Sequence, residues 1–387
     1  MSRAVASVVL LIAGWLFTAP AGPVQFVFTS DSHYGLTRPA FRNATNVSSH
    51  AVNQALVSTI NALPTARFPR DGGLRQTEVI GGIDFVAHGG DIANRQEEQD
   101  GLQVQPASAS WAEFETDYIR GLTLTTTAGA ATPLYVVPGN HEMSNAMGFF
   151  RPMTPPSDPT ALVAIFNRMM RPDTPRTAAT VDVARDRVLT TRDVGPLHLV
   201  FVTVWPDSAA RAWLERDLAS VSADRPVVVF AHDQPESEAK HFVNPNGAHD
   251  INARDKFENL VTDTFASGTT IDTKTTTESR ALEQFLRRHP NVTAYFHGNA
   301  NWNQFYDWTG PDHTVALHTF RVDSPMKGAA SGRDERLLSF QVATVDTEAR
   351  TLTVRECLWN QEPRSAAPTV AWGASTTVAL MPRPAVP

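Results

Sequence analysis

The sequence contains a single cysteine, Cys357, among its 387 residues. No intramolecular disulfide can therefore form, and a packed core together with any bound ions has to stabilise the fold. Cys357 lies in an apolar pattern typical of a strand, which predicts a buried and unreactive thiol.

Basic residues are also scarce relative to acidic ones, with 33 Lys and Arg against 40 Asp and Glu and a formal net charge of -7. No basic excess exists to displace counterions, which argues against a nucleic-acid backbone as the main partner. The hydrophobic content of 42% and the charged content of 19% are typical of a folded globular protein. A phosphorylated small molecule stays compatible with this acidity, because a bound metal can supply positive charge locally.

Two common catalytic motifs are missing. The sequence has no G-x-S-x-G elbow, so a serine hydrolase of that type has no nucleophile. It has no P-loop, so a nucleoside triphosphate would be at most a substrate. Long apolar runs are absent after the N-terminal segment, so we expect no transmembrane span in the mature chain.

The N-terminal segment has the three parts of a secretory signal peptide. Arg3 provides a short positive region, residues 8–17 are apolar, and small residues precede a cleavage site after about Ala21. A membrane anchor or a buried helix is the alternative, but the apolar run is short for a bilayer span. We therefore expect residues 1–21 to be a signal peptide and the protein to be exported, to the periplasm or outside the cell.

Short apolar runs alternate with helical patterns through most of the chain. The runs typical of buried strands cover residues 24–29, 83–87, 134–137, 197–204, 227–231 and 292–296. Residues 210–221 and 278–289 have apolar side chains at helical spacing. This alternation predicts an α/β fold. Residues 337–346 and 351–358 predict a hairpin that completes the edge of a sheet. We place one domain over residues 24–360 and a tail rich in Pro and Ala over 361–387.

Five of the predicted strands end in residues that can bind metals. These residues are Asp31 and His33; Asp91; Asn140 and His141; His232; and Asn299 and Asn301. Each one alone is more often a turn former, a helix cap or a hydrogen-bonded histidine. In open α/β sheets, however, ligands collect beyond the carboxyl ends of the strands. Their ordered occurrence at successive strand ends predicts one shared site.

These motifs resemble those of the calcineurin-like metallophosphoesterases. The resemblance rests on Asp31-Ser32-His33, Gly90-Asp91, Gly139-Asn140-His141-Glu142 and the later His232, and spans nearly all of the chain after the signal peptide. It implies a four-layer sandwich of two central β-sheets flanked by helices, with a dinuclear metal site at the strand ends. It also implies hydrolysis of a small-molecule phosphate ester by a metal-bridged hydroxide.

The resemblance implies a metal-binding role for five residues. Asp31 and His33 would bind the first of two divalent ions, and Asn140 and His232 the second. Asp91 would bridge both, because one carboxylate can neutralise two cations.

Two further residues receive catalytic roles from the resemblance. His141 would stay off the metals and protonate the leaving alkoxide. Asn94 stands where many family members have an aspartate that orients this histidine, and its amide can still accept the imidazole N–H. Purple acid phosphatases have a tyrosine at this position, so Asn94 argues against that branch.

The family's last motif, G-H-x-H, is altered to Gly298-Asn299-Ala300-Asn301. Asn299 and Asn301 can still ligate through amide oxygen, which favours Mn, Mg or Ca over Zn, although Zn or Fe stays open. His297 is a possible substitute ligand, or it packs as strand histidines usually do. In a third interpretation a metal is lost, and the protein binds phosphate or another ligand without hydrolysis.

A few residues near these motifs are candidates for substrate binding. Lys240 and His241 follow His232 closely and could reach a phosphate, or they belong to a solvated insertion. Trp302 could form a substrate wall or pack between sheets. Arg321 and Lys327 are weaker candidates. The sequence does not distinguish a monoester from a diester substrate, and it does not predict an oligomeric state.

Overall fold

The structure of the chain is a computed structural model. The structure describes residues 22–94, 98–99, 102–103, 105–144, 158–244, 257–265, 277–365 and 367–382. The predicted signal peptide lies outside the described residues.

The first sheet has six strands in the order β16-β15-β14-β1-β4-β7. Its strands are β1 (Val24–Thr29), β4 (Phe85–His88), β7 (Leu134–Val136), β14 (Ser339–Asp346), β15 (Thr351–Leu358) and β16 (Ala371–Ala379). Strands β1, β4 and β7 are parallel to one another. Their carboxyl ends therefore lie at one edge of the sheet, as the sequence predicts for the first three motifs.

The second sheet also has six strands, in the order β12-β13-β11-β10-β9-β8. They are β8 (Leu189–Val194), β9 (Leu197–Val202), β10 (Val227–Phe230), β11 (Val292–His297), β12 (Gln304–Trp308) and β13 (Leu317–Arg321). Strands β9, β10, β11 and β13 are parallel, so the later motifs share an edge too.

Six α-helices and two small hairpins complete the described fold. The helices are α1 (Ser49–Ala62), α2 (Ala107–Phe114), α3 (Asn140–Met143), α4 (Thr160–Met170), α5 (Ser208–Leu218) and α6 (Thr277–Arg288). The hairpins pair β2 (Thr37–Phe41) with β3 (Ala44–Ser48), and β5 (Glu98–Gln99) with β6 (Leu102–Gln103). Among the described residues, no helix has both the length and the apolarity to cross a membrane.

The two sheets pack face to face through aromatic side chains. Phe26 of the first sheet lies 5.8 Å from Phe230 and 5.2 Å from Phe296 of the second, measured between ring centroids. Residues of alternate parity on β9 and β10, such as Val200 and Val229, pack instead with helices α5 and α6. Because side chains alternate along a strand, one face of this sheet meets the other sheet and the opposite face meets helices. The predicted four-layer sandwich is confirmed.

The C-terminal part adds one strand that the sequence did not indicate. The hairpin of β14 and β15 is confirmed, but β16 pairs with β15 and forms the edge of the sheet. Residues 371–379, within the predicted tail, therefore belong to the first sheet. Cys357 is buried in β15, as predicted.

Candidate metal centre

Asp91 lies at the centre of the site, directly after β4, and each of its carboxylate oxygens faces different histidines. Its Oδ2 lies 3.7 Å from Nε2 of His33 and 3.7 Å from Nε2 of His141. Its Oδ1 lies 3.3 Å from Nε2 of His232. Two groups of buried side chains with metal-ligand chemistry share this residue, namely His33, Asp91 and His141, and Asp31, Asp91 and His232.

Asp31 and His33 follow β1 and are both buried. Within the described part of the chain, three of their atoms have no hydrogen-bond partner. These are Oδ1 of Asp31 and both ring nitrogens of His33. Unpartnered buried polar atoms are rare in native proteins because they lose water without compensation. A cation would satisfy Nε2 of His33 and Oδ1 of Asp31, which lie 3.5 Å apart, so these two side chains fit a metal site.

His232 is held in one orientation by the loop after β4. Its Nδ1 donates to the carbonyl oxygen of Gly89 at 2.7 Å, which leaves Nε2 facing Asp91 and the amide group of Asn140 at 2.8 Å. Burial opposes protonation, but the charge of Asp91 raises the pKa of His232 to about 10. The site thus concentrates negative charge that a divalent ion would neutralise, and metal binding would release protons.

The backbone at the site is left-handed at five predicted ligands. The positive φ angles are 57° at Asp31, 41° at His33, 55° at Asp91, 61° at Asn299 and 63° at Asn301. Such conformations are uncommon for residues other than glycine and concentrate at functional sites. They turn the chain sharply after β1, β4 and β11, and the side chains of Asp31, His33 and Asp91 meet in one region.

Glu142 is a positioning residue for which the sequence analysis gave no role. Its buried carboxylate accepts main-chain N–H groups from Gly139 at 2.9 Å, Asp91 at 3.0 Å, Ile92 at 2.8 Å and Ala93 at 3.0 Å. It therefore ties the start of α3 to the loop that carries Asp91. The glutamate of the G-N-H-E motif was the available signal for this role.

His141 contacts Asn94 in a way that differs from the expected one. Its Nδ1 donates to the main-chain oxygen of Asn94, not to the side-chain amide. Among the described residues, Oδ1 of Asn94 has no hydrogen-bond partner. The expected orienting residue therefore acts through its backbone, which any residue at position 94 could supply.

The altered motif lies beside Asp31. The main-chain N–H of Asn299 donates to Oδ2 of Asp31 at 3.0 Å, and a side chain at Gly298 would collide with that same oxygen. Nδ2 of Asn301 donates to the carbonyl oxygen of Asn299 at 2.8 Å. Oδ1 of Asn301 is buried with no hydrogen-bond partner in the described part of the structure, so it could still ligate.

His297 lies outside both groups of potential ligands found among the described residues. It is the last residue of β11, fully buried. Its Nδ1 donates to the carbonyl oxygen of Gly298 at 2.9 Å, and its Nε2 lies 3.3 Å from the hydroxyl of Tyr306. These contacts fit a packed strand histidine rather than a substitute ligand.

His241, for which the sequence left a phosphate contact and a solvated insertion open, lies in a buried ion cluster. Its Nδ1 lies 2.6 Å from Asp233 and its Nε2 lies 3.3 Å from Glu258. Burial opposes protonation of the ring, but these two carboxylates raise the pKa of His241 to about 9. Lys240 lies 3.7 Å from Glu258. The cluster fixes the segment after β10, because both ring nitrogens already face carboxylates.

Trp302 packs against the guanidinium group of Arg321. The guanidinium carbon of Arg321 lies 4.2 Å from the Trp302 ring centroid and 5.2 Å from that of Tyr306. Trp302 is 40% exposed, so one part of its ring can still meet a ligand. The arrangement is a cation–π stack at the rim of the altered motif.

Lys327 is at the site, although the sequence made it only a weak candidate. Its Nζ lies 3.3 Å from Nε2 of His141. It follows β13, whose carboxyl end shares the edge with β10 and β11. The strand-end rule that selected the other residues would have found this loop if β13 had been recognised as a strand.

Comparisons with known proteins identify the family. A family model described as calcineurin-like phosphoesterase matches residues 24–298, more than half of the chain. A dimetal phosphatase from Danio rerio is 11% identical, with 86% of this chain and 95% of that chain covered and a TM-score of 0.49. The phosphopantetheinyl hydrolase of Mycobacterium tuberculosis is 12% identical, with 79% and 91% covered and a TM-score of 0.31.

A third solved structure, the calcineurin-like phosphoesterase YfkN from Bacillus subtilis, is 10% identical, with 93% of this chain and 92% of that chain covered and a TM-score of 0.29. The search of curated proteins gave no match. The match of the family model and the two ligand groups around Asp91 lead to the same conclusion. The chain belongs to the calcineurin-like phosphoesterase family.

Proposed function

We propose that this protein is an exported phosphoesterase that hydrolyses a small-molecule phosphate ester with two divalent metal ions. The family supports metal-dependent hydrolysis of phosphate esters in general. The proposal adds which residues hold the ions, which residue moves the proton, and where the protein acts.

The observation that carries the proposal is the position of Asp91 between two sets of side chains. Its Oδ2 faces His33 and its Oδ1 faces His232. One carboxylate can therefore serve two cations. Asp31 and His33, whose Oδ1 and Nε2 lie 3.5 Å apart, would hold one ion, and Asn140 and His232 would hold the other, with Asp31 also close to His232. Two such ions would supply Lewis acidity and would lower the pKa of a water molecule, so that a nucleophile would be available near neutral pH.

His141 is the proposed proton donor to the leaving group. The Nδ1–H group donates to the Asn94 carbonyl oxygen, so Nε2 is the ring nitrogen that faces the site. In the imidazolium form, which carries a proton on both ring nitrogens, Nε2 would give its proton to the departing alkoxide. The side chains of the site are buried, and a charge in such surroundings interacts more strongly than it would in water.

The altered motif favours a hard metal. Asn299 and Asn301 stand where the family has imidazoles, and amide oxygen is a harder donor than nitrogen. We therefore propose Mn, Mg or Ca as better activators than Zn.

Metal analysis combined with turnover tests the proposal. The full mature chain is loaded with Mn, Mg, Ca or Zn, and hydrolysis of p-nitrophenyl phosphate and of its bis-ester is measured. We expect two ions per chain and turnover with at least one ester. The isosteric variant Asp91→Asn should lose both the bound ions and the turnover, because a neutral amide cannot neutralise two cations. Less than one ion per chain and no turnover with any metal would favour a ligand-binding protein on the same scaffold.

Export is tested separately. When the complete chain is expressed with a functional secretion pathway, we expect the mature protein to begin after about Ala21. N-terminal sequencing checks this, and retention of residues 1–21 on the purified protein would contradict it.

A further inference from the structure

The loop after β13 brings an ammonium group to the candidate metal centre. Nζ of Lys327 lies 3.3 Å from Nε2 of His141, while that same nitrogen of His141 lies 3.7 Å from Oδ2 of Asp91. The lysine side chain is half-buried, so the ammonium group is accessible from solvent as well as close to the proposed metal ligands. Burial and, after it, the charge of Lys327 lower the pKa of His33.

The loop is anchored to the backbone of a proposed metal ligand. The hydroxyl of Ser324 donates to the carbonyl oxygen of Asp31 at 2.8 Å. The same hydroxyl oxygen accepts the main-chain N–H groups of Lys327 at 2.9 Å and Met326 at 3.2 Å. Lys327 is thus placed by the residue that also sets the position of Asp31.

Contacts on either side of this turn hold the rest of the loop. Nη1 of the buried Arg38 donates to the carbonyl oxygen of Pro325 at 2.7 Å, and the main-chain N–H of Ala329 donates to the carbonyl oxygen of Asn301 at 2.7 Å. A Cβ at Gly328 would lie 1.8 Å from Oγ of Ser331, so only glycine fits after the lysine. The loop is fixed before any ligand arrives, and a preorganised charge costs no reorganisation during a reaction.

We propose that the ammonium group of Lys327 binds the phosphoryl group of the substrate and gives the site a preference for phosphomonoesters over phosphodiesters. This inference rests on the proposed function. A monoester dianion carries twice the charge of a diester anion near neutral pH, so a fixed cation at the same distance attracts it about twice as strongly. A diester also carries a second substituent in place of an oxygen that could accept from Nζ.

The kinetic test compares two esters in two variants and one control. Lys327→Gln removes the charge and keeps the approximate size, and Lys327→Arg keeps the charge. Arg336→Gln removes an exposed cation that pairs with Asp334, and so controls for the change in net charge. With the metal-loaded protein, we expect Lys327→Gln to lower kcat/KM for p-nitrophenyl phosphate by about 10- to 100-fold, the size of a lost hydrogen bond to a charged group.

The loss for bis(p-nitrophenyl) phosphate should be clearly smaller, and Lys327→Arg should retain part of the monoester activity. The control should leave both esters unaffected. An equal loss for the two esters, or no loss for the monoester, would overturn the proposal.

A binding measurement separates this inference from the proposed function. Isothermal titration of the metal-loaded protein with inorganic phosphate requires no turnover, and we expect the affinity of Lys327→Gln to fall about 10- to 100-fold relative to the unmodified chain. Unchanged affinity, or no phosphate binding by the unmodified chain, would overturn the inference even if the enzyme is active. Metal analysis provides a third check. An additional ion per chain in Lys327→Gln would mean that the ammonium group occupies the place of a cation instead of binding a phosphoryl group, and would overturn the proposal.

Discussion

His141 is hydrogen-bonded through Nδ1 to the main-chain oxygen of Asn94. This contact fixes the ring tautomer, because a carbonyl oxygen accepts only from a protonated nitrogen. It also directs Nε2 toward Asp91 and Lys327. The orientation of the His141 ring does not depend on the side chain of residue 94, because the backbone supplies the acceptor.

Replacing His141 by alanine should reduce kcat by about 10²–10⁴-fold, the usual contribution of a general acid, while metal content stays the same. Steady-state kinetics and metal analysis on one preparation check both statements. The short distances among His33, Asp91 and His141 also allow a metal-binding role for this histidine. A parallel loss of bound metal would show that His141 is a ligand.

Replacing Asn94 by alanine should lower kcat by less than about tenfold, because the carbonyl acceptor remains and the contribution of His141 is kept. The same assay measures both variants. If Asn94→Ala were as damaging as His141→Ala, the side-chain amide would be required, and the backbone contact would not explain the orientation of the ring.

Asn301→His should tighten Zn²⁺ binding by more than about tenfold, because imidazole is a better Zn²⁺ ligand than an amide. Changing a residue that only hydrogen-bonds to a ligand already alters metal affinity by about 10- to 100-fold, so a change of ligand should do at least as much. The buried Oδ1 of Asn301 has no hydrogen-bond partner among the described residues, so an atom at this position is available to a cation. Competition with a chelator of known affinity measures the change. Asn303→His is the matched control, and equal affinities in both variants would place Asn301 away from the ions.

Replacing Asp71 by alanine should destabilise the fold by about 1–3 kcal/mol, because it removes the carboxylate partner of a buried guanidinium that then keeps only the carbonyl oxygen of Leu74. Arg355 in β15 is fully buried and donates through Nε to Asp71 at 2.7 Å. Chemical denaturation measures the loss. Arg336→Gln, on the surface, should change stability by less than about 0.5 kcal/mol.

The same pair makes stability depend on pH. Burial opposes ionisation of Asp71, but hydrogen bonds from Arg355 and Ser375 hold its pKa well below the ordinary value of 3.8. A lowered folded pKa means that the stabilisation is complete above the ordinary pKa and is lost as the pH falls through the folded one. The difference in unfolding free energy between the unmodified chain and Asp71→Asn should therefore be constant from neutral pH to about pH 5, and should shrink in part, without vanishing, as the pH falls to about 3. A difference that stays constant over the whole range would contradict the assignment.

Much of the site was predictable because it follows strand ends. Asp31, Asp91, Asn140 and His232 each come directly after a short apolar run, and parallel strands bring such positions to one edge. The spacing of Gly139-Asn140-His141-Glu142 made the prediction specific. The strand and helix patterns were predictable for the same reason, since burial on both faces gives continuous apolar runs.

Other features depend on contacts between distant segments. His241 meets Asp233 and Glu258 only after the segment following β10 folds, and its pattern in the sequence resembles that of an exposed loop. Strand β16 has few large apolar residues because it lies at the exposed edge of its sheet, so its composition resembled that of a tail.

The sequence by itself determined the α/β architecture and the side chains available for chemistry, because burial and turn chemistry are local properties of the chain. Only the tertiary structure decided how these side chains face one another. Asp91 and His232 follow strands of different sheets, and Lys327 reaches His141 through a loop fixed by Asp31, Arg38 and Asn301. Such relationships depend on how two sheets pack, and no short stretch of sequence records that packing.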